Sequence, residues 1–173
     1  ISLYNESTAI PFTRLVTTPI HPGIQIGTEF TYKESEHFRL FQTVNLSYYF
    51  HAQLNHGISV NTELGGEYLT NSRFSFGALI GVGYLHTFAT TKEYVFEDGH
   101  YTIATDKGNA RIAPSLSLDV NYRINKIEPT SPKIFVRYQS WIEYPYSPGF
   151  IPLMSHINLH IGAKFNLPLN TGK

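Results

Sequence analysis

Between Ile58 and Tyr68 the chain reads ISVNTELGGEY, in which apolar and polar residues alternate and the polar set includes two carboxylates, Glu63 and Glu67. Successive side chains of an extended chain point to opposite faces, so this segment predicts a strand with one oily side and one ionic side. An ionic side cannot line an ordinary hydrophobic core. The same alternation returns along most of the sequence. Ile24, Ile26, Thr28, Phe30 and Tyr32 oppose Gln25, Gly27, Glu29 and Thr31, and Phe38, Leu40, Val44, Leu46, Tyr48 and Phe50 oppose His37, Arg39, Thr43, Asn45, Ser47 and His51. Phe74, Phe76, Ala78, Ile80, Val82 and Tyr84 alternate with mostly small residues. Three further runs end the chain. They place Ile112 to Tyr122 opposite Arg111, Asp119 and Arg123, then Ile134 to Tyr144 opposite Arg137, Gln139 and Glu143. The last sets Ile157, Leu159, Ile161, Ala163, Phe165 and Leu167 against Asn158, His160, Lys164 and Asn166.

Composition narrows what can surround these strands. Charged residues make up 15% of the 173, and the formal net charge is zero, so no electrostatic footprint for nucleic acid is present. Twelve Tyr and twelve Phe stand against a single Trp, a balance suited to interfaces that are dry on one side and wet on the other. Cysteine is absent, which removes disulfides, thiol catalysis and thiolate metal sites. No run approaches the ~20 apolar residues of a membrane helix. The chain opens at Ile1 without an apolar leader and reads as a mature, exported form.

Lipid outside and a polar interior satisfy all of these strands together, and in lipid only a closed sheet leaves no backbone group unpaired. Seven clear strands plus an eighth expected over residues 7–16 predict an all-β fold: one domain over 1–173, an eight-stranded antiparallel up-and-down transmembrane β-barrel. The connections support it. Short ones at 33–36, 71–73 and 125–132 alternate with mostly longer ones at 15–22, 90–109 and 146–154, as periplasmic turns and outer loops do. Tyr32, Phe38, Tyr68, Phe74, Tyr122 and Phe165 fall at one rim, while Tyr48, Phe50, Tyr84, Phe88 and Tyr144 fall at the other. These form two interfacial girdles.

Over nearly its whole length the chain resembles the small eight-stranded outer-membrane β-barrels of Gram-negative bacteria. The stretch from His160 to Leu167, HIGAKFNL, is similar to that family's C-terminal assembly signal, with residues 168–173 following it. The resemblance implies insertion by the barrel assembly machinery and contact with outer-membrane lipid and lipopolysaccharide.

The inward face carries the concentrated chemistry. Alternation sends Glu29, Glu63, Glu67, Asp119 and Glu143 inside together with Arg39, Arg111, Arg123, Arg137 and Lys164, and the two signs balance. Eight strands enclose barely enough space for side chains, so these charges are expected to cross-link into a plug and close the path a pore would need. His156 and His160 share one inward face without an obvious third ligand, so no metal and no cofactor is expected. Some small barrels of this class are lipid A acyl hydrolases or acyltransferases, and the hydrolases carry a His-x-Ser-Asn signature near the penultimate strand. Here the comparable stretch, Tyr138 to Glu143, keeps Ser140 without its His. On that ground the sequence favours a non-catalytic structural or accessory barrel, with a lipid A-modifying enzyme or a small-solute pore as the alternatives.

The outer loops carry the remaining candidates. Tyr94 to Ile103 reads as a protruding hairpin with Asp98-Gly99 at its turn and with Tyr94, Phe96 and Tyr101 exposed. The loop containing Tyr146, Phe150, Ile151 and Leu153 is apolar for an outer loop. It is expected either to cap the mouth or to meet another envelope protein.

Overall fold

Eight strands hydrogen-bond edge to edge until the last meets the first. The computed structural model describes residues 1–166 except positions 93, 98, 104, 126, 127, 129 and 148. The strands are β1 (Ser2–Thr8), β2 (His21–Glu34), β3 (Phe38–Phe50), β4 (Asn55–Leu69), β5 (Phe74–Ala89), β6 (Tyr94–Glu97), β7 (His100–Ile103), β8 (Asn109–Arg123), β9 (Lys133–Glu143) and β10 (Met154–Lys164). Around the barrel they run β1-β10-β9-β8-β5-β4-β3-β2, and β6 and β7 form a separate hairpin within the loop after β5. Closure is antiparallel, from Ser2 opposite Gly162 to Thr8 opposite His156. This is the expected transmembrane β-barrel.

Polarity is inverted as the alternation requires. Glu63, Glu67 and Glu143 have no solvent exposure, and Asp119 and Arg137 have 2% and 3%. By contrast, Ile58, Val60, Leu116 and Val136 keep 45 to 51% of their surface exposed on the outer wall. Those apolar faces are stable against hydrocarbon, and the closed ladder leaves the wall no free edge there. Apolar side chains share the interior with the charges. Tyr4, Tyr49, Leu85 and Trp141 cluster inside it beside a void of about 30 Å³, near the room one water needs, and a larger cavity of about 420 Å³ lies towards the short turns among Gln25, Glu29, Arg39, Asn45, Arg137 and Lys164. Phe41 and Leu79 are buried across from Gly65, where a Cβ would lie 2.6 Å from the Phe41 ring and 2.8 Å from Leu79 Cγ.

The first strand differs from its expected place at 7–16. The chain leaves the sheet after Thr8, and Phe12 takes φ = 63°, a region that residues bearing side chains seldom occupy. Residues 9–20 then turn back across the outer wall. The Phe12 N–H donates to the Tyr138 hydroxyl at 2.8 Å, the two rings stack at 5.3 Å, and the Ser155 hydroxyl donates to the Ala9 carbonyl at 3.0 Å. Ser7 and Ile157, both on outward positions, are left 1% exposed. Ile157 was expected to meet lipid and instead lies buried beneath this strap. Ile10 and Phe12 keep a period of two whether or not the backbone pairs, so the pattern could not show where pairing stops. The connection after β3 is also shorter than 51–57, since β4 begins at Asn55. Asp98, Leu167 and the tail 168–173 lie outside the described residues.

Candidate functional site

Two groups of buried polar side chains occupy the barrel. Nearer the short turns is a lattice of ion pairs. Arg39 Nε donates to Glu67 Oε2 at 2.8 Å, and Arg39 also meets Glu29. Glu67 in turn accepts from Lys133 at 3.1 Å and from Asn121 at 3.2 Å. Arg137 joins Asp119 to Glu63, and Lys164 reaches both Asp119 and Glu29 at 3.4 Å. Six strands therefore contribute to one connected set of charges. A buried charge left alone would cost several kcal/mol, which is why each meets at least one group of opposite sign.

The second group lies at the long-loop end, where β1 and β3 finish and β2, β8 and β10 begin. Arg111 pairs with Glu143, and Glu143 Oε2 lies 3.0 Å from His156 Nε2. His156 Nδ1 lies 2.7 Å from Glu6 Oε1, so the ring bridges two carboxylates, and both nitrogens donate only when it carries its second proton. Trp141 lies flat on that ring, with centroids 4.0 Å apart and planes 11° apart. Beyond Glu6 stand His21 and His51, whose rings stack at 3.4 Å. His21 Nδ1 donates to the Glu6 backbone carbonyl at 3.1 Å and lies 3.6 Å from Glu6 Oε2. Burial, and His21 alongside, hold the His51 imidazole below the usual histidine range and favour its neutral form. The result is a line of imidazoles and carboxylates from Arg111 to His51.

Alternation along the sequence sends ten charged residues inside. Glu29, Arg39, Glu63, Glu67, Asp119, Arg137 and Lys164 meet in the lattice, while Arg111 and Glu143 pair at the mouth. Arg123, at the short-turn end of β8, enters none of the ion pairs among the described residues. Missed were Lys133 in the lattice and Glu6 and His21 at the mouth. Glu6 was hidden by the misplaced first strand; restoring the alternation to Ser2, Tyr4 and Glu6 would have found it. His160 does not join His156: it stacks on Tyr4 at 4.5 Å and bonds Ser2 at 3.1 Å. Ser140 points outward and makes no hydrogen bond to an imidazole among the described residues. Of the loop candidates, Tyr94, Phe96 and Tyr101 are exposed, as are Phe150, Ile151 and Leu153, whereas Tyr146 is half-buried with Arg111 5.2 Å from its ring centre.

This is a closed eight-stranded transmembrane barrel of the small outer-membrane type, with its acid–base groups gathered at the loop end. No protein-family model matches the sequence, and no curated protein matches it. Among solved structures, the crystal structure of the outer membrane enzyme PagL matches with a TM-score of 0.51 at 9% identity, covering 96% of this chain and 100% of that one. The likeness is one of fold. It overturns the expectation of a non-catalytic barrel, because in PagL the same architecture is the body of an enzyme, and the missing His beside Ser140 speaks only against one arrangement of catalytic groups.

Proposed function

We propose that this protein is an integral barrel of the Gram-negative outer membrane that modifies lipid A by hydrolysing or transferring an acyl group, with its acid–base chemistry at the loop end. The observation that carries the proposal is the buried line Glu143, His156, Glu6, His21 and His51 at the mouth of a barrel whose fold is that of PagL. A neutral imidazole beside a carboxylate can take a proton from water or an alcohol as it attacks an ester carbonyl, and can return it to the departing alkoxide. Hydrolysis then releases a carboxylic acid and an alcohol. Glu6, beside the His21 and His51 imidazoles, is oriented by His156, which is held in turn by Glu143, and Arg111 balances Glu143. The apolar strap 9–20 supports the reading, since Ile10, Phe12, Leu15 and Ile20 are exposed on the outer wall, where acyl chains lie.

Mass spectrometry of lipid A from a Gram-negative host expressing the chain tests this. Gain or loss of one acyl chain is the expected result, and Glu6→Gln and His51→Asn should abolish it while the barrel still migrates as a folded species on unheated gels. A correctly inserted wild-type barrel that leaves acyl composition unchanged would refute the proposal.

A further inference from the structure

We infer that Glu6, His21 and His51 form a binding site for one divalent transition-metal ion, of the zinc class, at the loop end of the barrel. One donor atom from each residue lies within 4.8 Å of the other two, and all three side chains are buried. Two imidazoles and one carboxylate are a donor set that suits zinc. Bond lengths near 2.1 Å require donors somewhat closer than 4.8 Å, so binding draws the three inward by modest side-chain rotation. His51 has the freedom for this because it lies in the connection after β3 rather than in the sheet.

Two further observations point to a ligand. Glu6 is 1% exposed, yet its Oε2 has no hydrogen-bond partner among the described residues; His21 Nδ1 lies 3.6 Å from it, beyond hydrogen-bond reach. A carboxylate oxygen is rarely buried without something to satisfy it. The other oxygen, Oε1, is fixed by His156, so the idle one is aimed at the two stacked imidazoles.

The surrounding contacts have the form metal sites use. His21 gives its Nδ1 proton to a backbone carbonyl, which leaves the Nε2 lone pair available and sets the ring's orientation. Glu6 is oriented in turn by His156, and His156 by Glu143 and Arg111. Ligation through His51 Nε2 moves that ring's proton to Nδ1 and dissolves the 3.4 Å contact from the Gln53 amide, which is at the long limit of a hydrogen bond. Three protein donors leave one tetrahedral position for water or a substrate oxygen, as catalytic rather than structural zinc sites do. The site stands on geometry alone; it deepens the proposed activity by supplying an activated water, and its test is separate from that of lipid A modification.

The full-length barrel, folded in detergent and stripped with a chelator, is titrated with zinc alone and with cobalt alone. The expected result is one tightly held ion per chain and a cobalt absorption spectrum of four-coordinate type. Affinity should fall at least ~100-fold in Glu6→Gln and in His51→Asn, more than an outer-shell loss usually costs, while His86→Asn, a change at a histidine on the outward face of β5, leaves it intact. Folding of each variant is verified by heat-dependent gel migration. His51→Asn keeps the test decisive if Glu6→Gln fails to fold. No saturable binding by the wild type, or equal affinity in a folded Glu6 or His51 variant, overturns the site whatever the lipid A result.

Discussion

Arg137 holds acidic residues from two other strands at once, with Nε and Nη2 on Asp119 at 2.6 and 2.9 Å and Nη1 on Glu63 at 2.7 Å. Asp119 is the cross-strand neighbour of Arg137, whereas Glu63 reaches it across the interior from β4. Adjacent and opposite walls are thus tied through one guanidinium. Arg137→Ala strands two buried carboxylates, and breaking a buried pair in this way costs about 3–5 kcal/mol. The expected outcome is a marked fall in urea midpoint for the barrel in detergent or vesicles. Planar-bilayer recordings should show no new conductance, because the Arg39, Glu67 and Lys133 pairs remain; a stable, conducting variant would contradict a plugged interior.

Gly65 makes room for the Phe41 ring and Leu79 on the crowded inner wall. Gly65→Val overfills that space, at a cost of about 1–3 kcal/mol. Ala78→Val, on the outward face of β5, places the added methyls in lipid and should be nearly neutral. Paired unfolding curves for the two variants measure the difference. Equal destabilisation would show that crowding at Phe41 and Leu79 does not set the cost.

The barrel was legible because lipid-facing strands must be oily on one side, and a period of two survives in single residues. Ile58, Val60 and Leu64 against Glu63 and Glu67 suffice to define an inverted interior. What the pattern could not show is where a segment stops pairing. Residues 10 and 12 alternate like a strand, yet they belong to a strap over the outer wall, and that error hid Glu6. Spatial convergence was invisible for a different reason: His21, His51 and His156 belong to or follow three strands that closure alone brings together. Lys133 escaped because it sits at the first position of β9, next to a turn, where alternation has only just begun.

The middle of the strap is held to the wall by the bond from the Phe12 amide to the Tyr138 hydroxyl and the stacking of those rings, while its two ends are tied by Ser155 to the Ala9 carbonyl and by Ser7 and Asn5 to Thr17. Tyr138→Phe removes a hydrogen bond of about 1 kcal/mol, and Phe12→Ala removes an aromatic pair worth about 0.5–1.5 kcal/mol beyond its buried area. Arg14 is exposed at the centre of the strap. Trypsin cleavage after Arg14 in the detergent-solubilised barrel should therefore be several-fold faster in either variant, with global stability little changed. An unchanged cleavage rate would mean that the strap is anchored elsewhere.

Phe150 is 82% exposed, and Ile151 and Leu153 beside it are also exposed. Their loop is nevertheless held by its own backbone, with Ser147 N–H donating to the Ile151 carbonyl at 2.8 Å and Tyr146 N–H donating to the Pro152 carbonyl at 2.9 Å. Tyr146, by contrast, is half-buried with the Arg111 guanidinium 5.2 Å from its ring centre. The apolar tip and the cap are therefore separable. Replacing Phe150, Ile151 and Leu153 together by Ser should leave the unfolding midpoint within about 0.5 kcal/mol of wild type, the usual range for exposed positions. Tyr146→Ala should lower it by exposing the Arg111 and Glu143 pair to water. If the triple Ser variant proves the more damaging, the tip packs on the barrel in lipid and the cap extends to Leu153.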